Sequence, residues 1–71
     1  MRHLLPLRYI DAVAKAGSIR KAAETLNITS TALNRRLLAM EEELGVSLFE
    51  RFARGVRLSA AGEILIHHIR S

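Results

Sequence analysis

The sequence predicts an all-α fold carrying a small β-wing. Three observations predict it. Apolar residues recur at three- and four-residue steps in successive segments, each closed by a capping residue or a glycine. The second and third segments are parted only by a tight corner at Asn27–Ile28. Farther on, from Val46 to Leu58, the helical period weakens, and after Gly55 the apolar Val56 and Leu58 alternate with Arg57.

The first helix is expected over about Leu4–Ala16, with Leu7, Ile10, Val13 and Ala14 along its inner face. Arg8, Asp11 and Lys15 lie off that stripe. Gly17 ends it and Ser18 caps the next helix, Ile19–Leu26. Ile19, Ala22, Ala23 and Leu26 form the inner side of this short helix, whereas Arg20, Lys21 and Glu24 stay in water. Asn27 suits a left-handed corner, and Ile28 plugs it with an apolar side chain.

Thr29 caps a third helix that runs to Leu44 and closes at Gly45. Its predicted buried stripe is Leu33, Leu37, Met40 and Leu44. Leu48 and Phe49 then dock the chain back on the core. Arg51–Leu58 reads as a two-stranded hairpin or an extended loop with a glycine turn. Ser59 caps a last helix from Ala60 onward. Ala61, Leu65 and Ile69 mark one apolar edge of it, and Ile66 stands apart from that edge. Apolar groups on more than one side suggest an interface helix missing its partner or its continuation, with Ala61, Leu65, Ile66 and Ile69 as the candidate contacts.

Composition bounds the function. A chain of 71 residues holds one domain with a modest core. The absence of cysteine excludes disulfides, thiolate metal sites and cysteine nucleophiles. No apolar run approaches the ~18 residues of a membrane span, and no signal peptide is read at the N-terminus. Net charge is +4, and its placement says more than its size. Arg51, Arg54 and Arg57 cluster, whereas Glu41, Glu42 and Glu43 form a separate acidic run. Such segregation favours a positioned polyanion-binding surface, although a solvated charge run is the simpler explanation for the three acids taken alone.

Two helices joined by a tight corner, the second longer than the first, form a helix-turn-helix. The motif spans 18–37, from Ser18 through Thr25 and Asn27 to Ala32 and Leu37. With Leu33 and Leu37 inward, Ser30, Thr31, Asn34, Arg35 and Leu38 fall outside or on the flanks, followed by Arg36. No acid sits at this start of the helix, and its free N–H groups suit phosphate. Asn can bond an adenine edge, Arg a guanine edge, and Thr a thymine methyl. The candidate DNA contacts are therefore Thr29, Ser30, Thr31, Asn34, Arg35 and Arg36, joined by Arg54 and Arg57 of the wing. Arg51 fits better as a brace for the loop, paired with an acid.

Two other classes compete. Adjacent His67 and His68 diverge by about 100° on a helix, and Glu63 with His67 gives too few ligands for zinc. No metal, cofactor or enzymatic activity is expected. A helical dimerisation or protein-interaction module with little DNA binding is the stronger rival, because it accounts for the apolar last helix.

The chain resembles the N-terminal domain of the LysR-type transcriptional regulators. The resemblance rests on Leu7-Arg8-Tyr9-Ile10, Ala12-Val13-Ala14, Gly17-Ser18, Ala22-Ala23-Glu24 and Leu26, and continues through Ala32-Leu33. It is completed by Glu41-Glu42-Glu43-Leu44-Gly45-Val46, Leu48-Phe49-Glu50-Arg51, Gly55-Val56-Arg57-Leu58-Ser59 and Ala61-Gly62. The ordered set is specific where each piece alone is weak. It implies a winged helix-turn-helix over 1–58, with recognition helix 29–44 and wing 51–58. It also implies the start of a linker helix over 59–71, through which two copies pair. A bacterial cytoplasmic protein, nucleoid-associated when bound, is expected, with a small-molecule effector only where a longer chain carries a sensing domain. Members commonly carry Ser-Gln-Pro or Ser-Gln-Ser where this chain has Thr29-Ser30-Thr31.

Overall fold

Periodicity and capping place the helices, and the computed structural model follows both. It describes residues 4–70, with side chains over 7–68. Met1 to His3, the side chains of Leu4 to Pro6 and that of Ile69 lie outside the described residues, so the contact expected of Ile69 falls there too. The order is α1 (Leu4–Ala16), α2 (Ile19–Leu26), α3 (Ser30–Leu44), β1 (Phe49–Phe52), β2 (Gly55–Leu58) and α4 (Ala60–Arg70).

The caps form as the residue types require. The Ser18 hydroxyl accepts from the Lys21 N–H, and the Thr29 hydroxyl from the Ala32 N–H at 3.0 Å. Each satisfies an N–H that the helix itself leaves without a partner. Asn27 takes the left-handed conformation at φ 60°, ψ 42°. The Ile28 N–H then reaches back to the Ala23 carbonyl and the Asn27 N–H to that of Glu24, closing α2 with a Schellman pair. That closure turns the chain within three residues and sets α3 across α2.

The core gathers Ile10 and Val13 of α1, Ala22 and Ala23 of α2, and Leu33 and Leu37 of α3 around Leu48, Phe49 and Ile66. Ile28 packs against it from the corner. Among the described residues no buried side-chain nitrogen or oxygen lacks a hydrogen-bond partner. None of the described helices is long and apolar enough to cross a membrane.

Two expectations are corrected. Leu44 is 55% exposed and does not continue the buried stripe. It keeps the inward azimuth, but it lies about 10 Å beyond Leu37 along the axis, past the elements that α3 packs on. Ile66 is 4% exposed and belongs to the core, so it is not a free dimer contact. The reason is Gly62, one turn earlier. A Cβ there would run into the Leu48 carbonyl, and its absence lets the Gly62–Ile66 side of α4 settle inward. Ile64, 71% exposed, is the open large apolar side chain among the described residues of α4.

The uncertain segment is a hairpin. β1 and β2 pair antiparallel, with Phe49 opposite Leu58, Glu50 opposite Arg57, Arg51 opposite Val56 and Phe52 opposite Gly55. Ala53 and Arg54 make the turn. Gly55 takes φ 152°, and a Cβ there would strike the Gly17 carbonyl. That same carbonyl accepts the Val56 N–H at 3.1 Å. The hairpin therefore hangs on the end of α1 by a backbone contact that only glycine permits.

Candidate nucleic-acid interface

The face is built on α3. With Leu33 and Leu37 fully buried, Ser30, Thr31 and Arg35 are exposed and Asn34 is half-buried on one flank. Thr29 is exposed beside them, and no acid occupies the first turn. The N-terminal end of the helix thus presents hydroxyls and backbone N–H groups without an opposing carboxylate, which favours an anion there.

Asn34, Leu38 and Glu41 recur at helical spacing and share the flank that meets the hairpin. Two sets of hydrogen bonds hold that contact. Arg51 donates from Nη1 to Asn34 Oδ1 at 2.7 Å. The Glu41 carboxylate accepts the N–H groups of Leu48 at 2.7 Å and Phe49 at 3.2 Å. The first strand of the hairpin is thereby tied to this flank at the second turn of α3 through Arg51 and at its last turn through Phe49.

Arg51 does brace the loop as expected, but through an amide and not an acid. Glu41 leaves the acidic run and becomes a backbone clamp, while Glu42 and Glu43 stay exposed. Sequence reading missed this role. The available signal was a break in the run: Glu41 falls on the same helical flank as Asn34, and Glu42 and Glu43 do not.

The other arginines separate by their surroundings. Arg36 is exposed and lies over the Tyr9 ring of α1, 5.5 Å from its centroid. Arg57 donates from Nε to Glu50 Oε1 at 3.0 Å and lies 4.6 Å from the Phe52 ring centroid. Register dictates this trio. Glu50 is directly opposite Arg57, and Phe52 lies diagonally from it on the same side of the hairpin. Arg54 is exposed at the turn. His67 and His68 are exposed on α4. No group of three potential ligands that could hold a metal exists among the described residues.

A short capped helix, a left-handed corner, a longer helix with an acid-free start and a hairpin pinned beside it define a winged helix-turn-helix domain. The chain belongs to the LysR family: the family described as bacterial regulatory helix-turn-helix protein, lysR family, matches residues 4–63. It is similar to the HTH-type transcriptional regulator ClcR of Pseudomonas putida, 47% identical over 64 residues, covering 90% of this chain and 22% of that protein. It is also similar to the uncharacterized HTH-type transcriptional regulator y4mQ of Sinorhizobium fredii, 43% identical over 65 residues, covering 92% and 22%. Among solved structures it matches the CbnR_DBD–DNA complex with a TM-score of 0.86 and 40% identity, covering 92% of this chain and 75% of that one. The chain spans about a fifth of the length of ClcR and y4mQ.

Proposed function

We propose that this chain is the DNA-binding head of a transcription regulator. It binds double-stranded DNA sequence-specifically, with α3 in the major groove and the hairpin on the backbone or in the minor groove. The observation that carries this reading is the Arg51–Asn34 hydrogen bond of 2.7 Å, because it keeps the arginine-bearing hairpin beside the acid-free start of α3. A hairpin on the far side of the molecule would have left the two candidate surfaces unable to meet one duplex. The likeness to CbnR_DBD, a protein solved on DNA, supports the same reading.

The roles divide by chemistry. Thr29 and Ser30, with the helix N-terminus, meet phosphate. Thr31, Asn34 and Arg35 face base edges. Arg36, Arg54 and Arg57 hold the backbone on either side. Residues 1–58 make the binding head, and 59–71 begin a linker helix. Ala61 and Leu65 of α4, with Ile69 beyond, supply a homodimer contact, joined by the exposed Ile64. A small-molecule effector acts on a sensing domain in a longer chain, and the regulator works in the bacterial cytoplasm.

The test is a titration of duplex DNA across a salt series, with the parent and with an Arg54→Ala, Arg57→Ala double variant. Expected is an association that weakens steeply with salt and is weaker in the variant. Equal and negligible association for both proteins refutes the reading in favour of a helical interaction module.

A further inference from the structure

The Arg51–Asn34 contact fixes more than the position of the wing. A guanidinium carries only donors, so the atom it meets on an amide must be the oxygen. The orientation of the Asn34 amide is therefore forced by its partner: Oδ1 faces Arg51 at 2.7 Å, and Nδ2 is left as the free end. Asn34 is anchored on the second turn of α3, whose backbone is held by the buried Leu33 and Leu37 on either side of it.

The familiar bidentate contact of Asn with adenine needs both ends of the amide. Oδ1 accepts from N6–H2, and Nδ2 donates to N7. Oδ1 has two lone pairs and a cation holds one of them at 2.7 Å, so an incoming adenine N6–H2 must share the oxygen with Arg51 and brings its own positive edge against the guanidinium. Adenine N7 stays open to Nδ2–H2, but the N6–H2 beside it is a donor set against an oxygen that Arg51 already engages. Guanine offers acceptors at both O6 and N7 and thymine one at O4, and neither brings an amine donor beside the acceptor. We infer that Arg51 is a positioning residue that turns Asn34 to read with its Nδ2–H2 donor, favouring guanine or thymine edges over adenine at the base step it faces. This inference rests on the DNA-binding reading above and adds a base class to it.

The experiment is selection of binding sites from a random duplex pool, with every variant checked for a parent-like thermal transition. The parent is compared with Asn34→Ala, Asn34→Asp, Arg51→Met and Arg51→Lys. Asn34→Ala locates the base step, as the position whose preference is lost. At that step the parent favours guanine or thymine. Asn34→Asp keeps an acceptor for Arg51 but has no donor, so that preference disappears. Arg51→Met keeps the aliphatic stem and frees Oδ1, so adenine rises about tenfold against guanine and thymine at that step alone. Arg51→Lys keeps the charge and has no fork, which separates attraction to phosphate from orientation of the amide.

An adenine preference in the parent overturns the inference. So does a uniform loss of affinity in Arg51→Met with the base profile unchanged, which would make Arg51 a phosphate contact. An Asn34→Ala profile identical to the parent's overturns it as well. All three outcomes leave the DNA-binding reading standing. Absence of any selected site or salt-dependent binding in the parent defeats that reading, and this inference with it.

Discussion

The carboxylate of Glu41, in the last turns of α3, accepts the backbone N–H of Leu48 at 2.7 Å and that of Phe49 at 3.2 Å. Leu48 is 1% exposed, so its N–H has little access to water once the carboxylate is removed. A charged acceptor serving two such donors is worth more than an ordinary surface contact. Glu41→Ala is therefore expected to lower stability by about 2 kcal/mol, read from the midpoint of urea unfolding. Glu42→Ala and Glu43→Ala, at exposed positions, are expected to stay within about 0.5 kcal/mol. Equal effects at all three would show that the clamp contributes nothing beyond helix charge.

The two leucines at either end of the α3 stripe make a second comparison. Leu37 is fully buried and Leu44 is 55% exposed, although both lie on the inward azimuth. Leu37→Ala is expected to cost about 2–5 kcal/mol through lost burial and the cavity left behind. Leu44→Ala is expected to cost less than about 0.5 kcal/mol in the isolated chain. A large loss at Leu44 would mean that it is covered in solution by something other than this fold.

These contrasts mark where the sequence was legible. Ser18, Thr29 and Asn27 were readable because a cap or a left-handed corner is decided by one residue and its next few neighbours. The start and length of α3 followed from the same local signals. Leu44 and Ile66 were misjudged because azimuth on a helix does not say where the neighbouring elements stop or which side approaches them. The roles of Glu41 and Asn34 depend on partners seven and seventeen residues away, joined only when the hairpin folds back. Arg54 and Arg57 look alike in sequence, and their difference comes from strand register, which sets Arg57 opposite Glu50 and which the turn alone does not fix.

Two glycines separate close approach from open space. A Cβ at Gly62 would meet the backbone carbonyl of Leu48 and the side chain of Leu58, whereas one at Gly45 meets nothing within 4 Å. Gly62→Ala must push α4 away from the core and is expected to cost about 2 kcal/mol or more. Gly45→Ala carries only the backbone strain of its positive φ, about 1 kcal/mol. Thermal unfolding of the two variants ranks them directly. The reverse order would mean that α4 is not seated on Leu48 in solution.

The last prediction concerns the unequal arginines of the wing. Arg54 stands exposed at the turn, while Arg57 is shared between the Glu50 carboxylate at 3.0 Å and the face of Phe52. A phosphate competing for Arg57 must displace an acid that already neutralises it. Each full phosphate contact contributes about 0.9 to the slope of log affinity against log salt, so Arg54→Ala is expected to reduce that slope by about 0.9. Arg57→Ala in the parent should reduce it by clearly less. Glu50→Gln removes the competitor, and the exposed ion pair it breaks is worth at most about 1 kcal/mol, so the fold is retained. In that background affinity is expected to rise at low salt, and Arg57→Ala should then carry a slope change equal to that of Arg54→Ala. The comparison is decided by the difference between backgrounds: if Arg57→Ala changes the slope equally with and without Glu50, the cross-strand carboxylate has no part in tuning the wing for DNA.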